Sequence, residues 1–190
     1  EINSILLEKR EWILKHQKQM QTRAKAVKAP AFEEGALFPF MGNFYPLKSF
    51  PGPGNFIRFE ASSLQYPGLY PARIKELLLR WYLSQANEIL PKIFRSISAD
   101  YSFKASVLRI SDARSRWGSC NSSGSISLSW RLVMLPEKFI RCIIIHELAH
   151  LKHLDHSRSF YVECFRIDPA MQNFDHELKI WMKEHPLPEF

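Results

Sequence analysis

His146, Glu147 and His150 form the pattern H-E-x-x-H within the stretch RCIIIHELAHLKHLDHSRSF. On a helix, two histidines four residues apart lie on the same face, where both imidazoles can bind one metal ion. The intervening glutamate is then placed to act as a general base toward a metal-activated water. Chance predicts roughly 0.02 such matches in a chain of this composition, so we interpret the motif as a metal site rather than as unliganded histidines or a pH switch.

This metal site requires a third protein ligand, because a catalytic zinc ion takes three side chains and keeps a fourth position open. Three candidates follow in the chain: His153, His156 and Glu163. On a continuous helix His153 would lie about 10 Å along the axis from His146, too far for two nitrogens that share one ion. His156 can reach the ion if the helix ends near Leu154 and the chain turns back. We favour His156, and Glu163 on the next predicted helix is the alternative.

The motif lies on a helix that is predicted to begin at Pro136, a residue type common in the first turn of helices. Ile144, Leu148 and Leu151 fall opposite the two histidines of the motif. The helix can therefore bury one face and turn the metal-binding face toward a cleft.

Other elements are predicted around this helix. Alternating residues in FKASVLRIS and GSISLSWRLV indicate two or three antiparallel strands, with a turn at Asn121 to Gly124. Apolar residues at helical spacing predict helices in YPARIKELLLRWYLSQANEILPKIFRSI, SRSFYVECFRI and MQNFDHELKIWMKEH. The order of helix, small sheet and further helices favours an α+β fold.

The first part of the chain has a different character. Residues 2–28 predict a long amphipathic helix, and residues 1–30 hold seven Lys/Arg against three Glu. From Pro30 to Pro71 prolines, glycines and aromatic residues predict irregular loops with at most short strands. We therefore divide the chain into residues 1–55, an N-terminal helix with a Pro/Gly/aromatic-rich connecting segment, and residues 56–190, the catalytic domain.

Composition narrows the class of protein. The 190 residues are 46% hydrophobic and carry a net charge of +7, which is typical of a globular protein with a sizeable core. No run is long enough for a membrane span, and the start of the chain lacks the apolar stretch of a signal peptide. Three cysteines without a C-x-x-C pair favour reduced thiols and a cytoplasmic location. The basic N-terminal helix is interpreted first as a solvated surface, with nucleic-acid binding as the less favoured alternative.

The segments RWGSC, ISLSWRLVMLP and HELAHLKHLDHSRSF together resemble the YgjP-like metallopeptidase family over roughly residues 70 to 185. The spacing from the motif to His156 also resembles SprT-like and WLM metalloproteases, in which the last histidine is the third zinc ligand. The resemblance implies a zincin-like fold, with a small antiparallel sheet packed on the H-E-x-x-H helix. His153 replaces the Gly of metzincins, Asp155 the usual Asn and Tyr161 the usual Trp. Because the chain begins in a predicted helix, we expect the family's N-terminal β-hairpin to be absent.

The function expected from these observations is zinc-dependent hydrolysis of peptide bonds. His146, His150 and His156 would hold Zn²⁺, and Glu147 would take a proton from the zinc-bound water and deliver it to the leaving amine. The partner would be a peptide or protein substrate. Two alternatives stay open: a DNA-associated SprT/WLM-like protease or nucleic-acid-binding protein that uses the basic helix, and a metal-dependent hydrolase of a non-peptide bond.

Residues outside the motif carry weaker expectations. The strand near SRWGSC is a candidate edge for binding an extended peptide, and Arg116, Trp117 and Gly118 are its candidate contacts, the glycine allowing close backbone approach. Tyr161, His153 and Arg116 are candidates for stabilising an oxyanion. We expect Cys120 to be a buried, unreactive thiol, and Asp155 is the candidate to orient a ligating imidazole.

Overall fold

The computed structural model describes residues 31–69 and 71–190. The helix predicted over residues 2–28, and with it the basic segment proposed for nucleic acid, lies outside these residues. Seven strands are described: β1 (Leu37–Phe40), β2 (Asn43–Phe50), β3 (Arg58–Glu60), β4 (Ser63–Pro67), β5 (Val107–Ser111), β6 (Gly118–Cys120) and β7 (Ser125–Ser129). Four α-helices are described with them: α1 (Ile74–Asp100), α2 (Glu137–Ala149), α3 (Arg158–Ile167) and α4 (Phe174–Glu184). The α+β class is therefore confirmed.

Four strands form a sheet in the segment predicted to be mostly irregular. Its order is β1-β2-β4-β3, with β2 parallel to β4 and the other pairs antiparallel. The expectation that a β-hairpin is absent is wrong, because β1 and β2 form one through a two-residue turn at Met41 and Gly42. Both turn residues have positive φ, of 50° and 79°, as tight hairpins require. Since β2 and β4 lie on either side of residue 55, this sheet joins the two predicted segments.

A second sheet, of order β5-β7-β6, lies against the helix that carries the motif. The predicted turn from Asn121 to Gly124 is present, with the Asn121 Oδ1 atom accepting hydrogen bonds from the amides of Ser123 and Ser125. β6 and β7 are antiparallel as predicted, but β5 pairs with β7 in parallel. In the chain, β6 lies between β5 and β7 and runs opposite to both. β5 and β7 therefore point the same way, and the sheet is mixed rather than antiparallel.

The core fills the space between the two sheets and the helices. Helix α1 contributes an apolar stripe to it, and the Tyr82 hydroxyl donates a 2.7 Å hydrogen bond to the Pro39 carbonyl in β1. The hairpin turn also contacts the chain just before α2, where Met41 N donates to Val133 O at 2.8 Å. Both sheets and all four helices therefore share one core.

Helix α2 ends earlier than predicted. Its last helical residue is Ala149, followed by a turn at His150 to Lys152, whereas the sequence suggested an end near Leu154. No helix among residues 31–69 and 71–190 is long and apolar enough to cross a membrane.

Candidate metal centre and active site

Helix α2 places the motif by burying the face opposite to it. Ile144 and Leu148 are fully buried in the core, while His146 is half-buried and faces the opening between α2 and α3. Glu147 is buried, with only 6% of its surface exposed. The buried apolar face thus holds helix α2 against the core and leaves His146 and Glu147 at the cleft.

His146, His150 and His156 converge on one point. The Nε2 atom of His146 lies 3.2 Å from Nε2 of His150 and 3.1 Å from Nε2 of His156. Three nitrogens at about 2.0–2.1 Å from one tetrahedral ion would be about 3.4 Å apart, so this spacing fits a zinc-sized cation. Among the described residues, these three form the one group of His, Cys, Asp or Glu side chains close enough to hold a metal ion.

The protonation of the imidazoles suits metal binding. The His150 Nδ1 atom lies 2.9 Å from the His153 carbonyl oxygen, and donation to it leaves Nε2 of His150 as the bare ligand atom. Burial, and after it the charges of His150 and His156, lower the pKa of His146 to about 4. His146 is therefore neutral at pH 7, which is the form that binds metals.

The group that orients His150 is a backbone carbonyl rather than the predicted side chain. Asp155 was the candidate, but its Oδ1 atom accepts a hydrogen bond from the amide of Ser157 at 3.3 Å, before the start of α3. His153 contributes its carbonyl to the site, and its imidazole lies outside the metal-binding group. Because the acceptor is the backbone carbonyl of His153, the type of side chain at that position could not predict it.

Phe160 forms an apolar support beneath the three imidazoles. It is fully buried, and its ring centroid lies 4.9 Å from that of His146, 4.6 Å from that of His150 and 4.8 Å from that of His156. Sequence reasoning assigned this residue no role, although it stands four residues after His156. Its ring restricts the rotamers of all three histidines and so favours their convergence.

Glu163, the alternative third ligand, is engaged elsewhere. Its carboxylate pairs with Lys152 at 2.7 Å and with Arg166 at 2.9 Å. Hydrogen bonds from Arg166 and Lys152, against an opposing effect of burial, lower its pKa to about 2. Lys152 belongs to the turn between His150 and His156, so this ion pair fastens α3 to the segment that delivers the last histidine.

Glu147 fits into a space that only glycine leaves open. A Cβ atom on Gly118 would lie 2.5 Å from Glu147 Oε1 and 2.6 Å from its Cγ, well inside van der Waals contact. Gly118 was predicted to allow close approach of a substrate backbone, and the close contact that the structure shows there is with the Glu147 side chain. Strand β6 and helix α2 therefore pack closely at Glu147, the expected general base.

The surroundings of Glu147 favour a carboxyl group that exchanges a proton near neutral pH. Burial raises its pKa to about 7, and the Arg116 guanidinium acts in the opposite direction. Such a pKa is what a general base working at neutral pH needs. Arg116, predicted as a substrate or oxyanion contact, is exposed and lies close enough to Glu147 to act on its charge.

The remaining predicted contacts are scattered around this site. Among the residues that the structure describes, β6 pairs with β7 alone and so lies at the edge of its sheet. Trp117 packs partly against the core, and its carbonyl accepts a 2.8 Å hydrogen bond from Ser129 N. Tyr161 is 43% exposed, with its ring centroid 6.4 Å from that of His156. Cys120, expected to be buried, is only partly buried, and burial followed by the charge of Glu147 raises the pKa of its thiol, which disfavours the nucleophilic thiolate.

Replacing Gly118 by Ala is expected to lower the rate of hydrolysis by up to about 100-fold, because the new methyl group displaces the Glu147 carboxylate by about 1 Å. Metal affinity should be unchanged, since the three atoms nearest to the added methyl group all belong to Glu147. Ser119→Ala on the same strand adds no atoms and serves as the control. Steady-state kinetics with a parallel zinc titration provide the measurement; full activity in the alanine variant would contradict the assigned packing.

Comparison with known proteins matches the chain to a metallopeptidase family. A family model described as "YgjP-like, metallopeptidase domain" matches residues 1–180. A curated relative, "UTP pyrophosphatase" of Escherichia coli (strain K12), is 25% identical over 126 residues, which cover 63% of this chain and 75% of the relative.

Two solved structures are also similar in part of the chain. The metallopeptidase zymogen of Pyrococcus abyssi abylysin is 24% identical, with a TM-score of 0.44, and the match covers 54% of this chain and 100% of the zymogen. The metallopeptidase zymogen of Methanocaldococcus jannaschii jannalysin is 23% identical, with a TM-score of 0.43, over 50% of this chain and 97% of the zymogen.

Proposed function

This chain belongs to the YgjP-like metallopeptidase family, and on that premise we propose that it is a zinc-dependent peptidase in which Glu147 is the general base. Family membership supports a metal-dependent hydrolase. The observation that carries the finer proposal is the convergence of three imidazole nitrogens beside a buried carboxyl group whose pKa is raised to about 7.

The donor set fits a zinc ion. Three imidazole nitrogens at tetrahedral spacing suit Zn²⁺, and hard cations such as Mg²⁺ and Ca²⁺ prefer oxygen ligands. His146, His150 and His156 would hold the ion and leave its fourth position toward the cleft. When bound, zinc supplies Lewis acidity that acidifies water and polarises a carbonyl or phosphoryl oxygen.

The protein's own groups would handle the proton. Glu147 takes a proton from the attacking water onto its carboxylate and passes it to the leaving nitrogen of the substrate. Burial raises the pKa of this carboxyl group, so Glu147 can hold the proton between the two transfers. Gly118 leaves the space that the carboxylate occupies, and β6, at the edge of its sheet among the described residues, would pair with an extended peptide.

A second candidate is hydrolysis of a nucleoside triphosphate. The observation that favours it is the similarity to a UTP pyrophosphatase. The exposed guanidinium of Arg116, whose charge acts on Glu147, provides a group that could pair with a phosphate. The same metal and general base could act on a peptide bond or on the phosphoanhydride bond of a nucleoside triphosphate. The two candidates therefore differ in substrate and share the same catalytic groups.

The test compares both substrates on metal-free and zinc-loaded protein. Peptide hydrolysis is expected to be absent after chelation and to return when about one zinc ion per chain is restored. A denatured protein or a mixed peptide library and UTP are assayed in parallel, with products identified by mass spectrometry. Release of pyrophosphate from UTP without cleavage of any peptide would replace the peptidase proposal by the second candidate.

A further inference from the structure

A cavity of about 170 Å³ opens directly beside the metal-binding histidines. His146 and His156 form one side of it, and the rest comes from α3, the segment after α3 and the first turn of α4. The cavity therefore adjoins two of the three proposed metal ligands.

The floor of the cavity is apolar and its outer wall is aromatic. Four buried residues form the floor: Phe160, Cys164, Met171 and Phe174. Two exposed aromatic residues, Tyr161 and Phe165, line the side toward solvent, with ring centroids 6.2 Å apart. A hydrocarbon stem could pack along the floor, and a cation could lie against the aromatic faces.

A single carboxylate completes the lining. Asp175, in the first turn of α4, is exposed and makes no ion pair with any residue in 31–69 or 71–190. By contrast, Glu177 on the same turn is paired with Lys138 at 2.8 Å. Asp175, whose charge also acts on His146, thus presents a carboxylate without an ion pair at the edge of an apolar cavity.

The size of the cavity limits its occupant. Pockets for drug-sized ligands usually measure about 300–1,000 Å³, so 170 Å³ suits one long side chain better than a nucleotide. The sign of Asp175 also opposes a triphosphate or an acidic side chain.

We propose that this cavity binds a lysine or arginine side chain next to the cleaved bond, and that Asp175 determines the preference. The inference rests on the proposed peptidase function and names its substrate class. The aliphatic stem lies on the floor around Phe160 and Met171, while the cationic end meets Asp175 and the faces of Tyr161 and Phe165. An uncharged long side chain fills the same floor without the charge contact, so it ranks below a basic one.

The first test maps cleavage sites in a mixed peptide library by mass spectrometry. Zinc-loaded wild-type protein, Asp175→Asn and Glu184→Gln are compared; Glu184 is exposed on the same helix, about two and a half turns away. Wild type and Glu184→Gln are expected to favour Lys or Arg over Glu on one side of the bond by about tenfold, and Asp175→Asn should lose most of that preference.

The second test measures binding without turnover. Zinc-loaded Glu147→Gln protein, with and without Asp175→Asn, is titrated by calorimetry with matched peptides that carry Lys, Met or Glu at the mapped position. Tighter binding of the Lys peptide that depends on Asp175 supports the proposal. Peptide cleavage that requires Glu147 but shows the same preference in Asp175→Asn overturns the cavity assignment and leaves the peptidase standing. If no peptide is cleaved or bound, the peptidase proposal fails and the cavity assignment falls with it.

Discussion

Glu147→Gln is expected to lower kcat for peptide hydrolysis by about 10²–10⁴-fold while zinc binding is kept. The substitution preserves the volume of the side chain and its fit against Gly118 but removes the carboxylate that accepts the proton. The three histidines keep their positions, because Glu147 makes no contact that orients them.

The measurement pairs steady-state kinetics with metal analysis and a thermal melt. One zinc per chain and an unchanged Tm would show that the loss lies in the chemistry rather than in folding. Glu184→Gln, on the exposed end of α4, is the matched control for the same chemical change elsewhere. Hydrolysis that survives Glu147→Gln at near wild-type rate removes Glu147 from the mechanism.

His156→Ala is expected to weaken zinc affinity by more than about 100-fold, because it removes one of three nitrogens that converge on the ion. Glu163→Gln should leave zinc affinity nearly unchanged, since Glu163 is paired with Lys152 and Arg166. Competition with a chromogenic chelator measures both values. The opposite result, with Glu163→Gln losing the metal and His156→Ala keeping it, would make Glu163 the third ligand.

The Glu163→Gln variant is also expected to be less stable than wild type. Its ion pairs join α3 to the preceding turn, and their loss is expected to cost about 1 kcal/mol of unfolding free energy at neutral pH. Because folding lowers the pKa of Glu163 from its ordinary 4.5 to about 2, the stabilisation is fully present above pH 4.5. The difference between wild type and Glu163→Gln should shrink as the pH falls from 4.5 toward 2, measured by denaturant unfolding.

The helix with the metal motif could be predicted because its signals are local. Periodic isoleucines and leucines define a buried face, and two histidines four residues apart must then share the opposite one. The third candidate ligand, His156, was predicted from how far the chain can turn back after the helix ends. The helix end at Ala149 was misplaced because no Gly or Pro marks it.

The β1–β2 hairpin and the parallel pairing of β5 with β7 were missed for a different reason. Short strands were expected around LFPFMGNFYPL, but its prolines are turn signals that did not indicate how those strands pair. The pairing of β5 with β7 skips the strand between them in the chain, so the order of the strands along the sequence did not indicate it. The packing of Gly118 against Glu147 also joins residues that are far apart in the chain. A glycine in a strand suggests close approach, but the sequence does not say by which atom.

The position of the hairpin turn has a consequence for how the chain can be shortened. Met41 and Gly42 donate hydrogen bonds to the carbonyls of Val133 and Met134, at 2.8 and 3.3 Å, immediately ahead of the helix that carries the histidines. A recombinant fragment starting at residue 56 would lose these anchors, leave β4 without its parallel neighbour, and uncover the apolar surface that Phe38 and Leu47 now fill. The shortest fragment able to assemble the metal centre should therefore begin before Leu37.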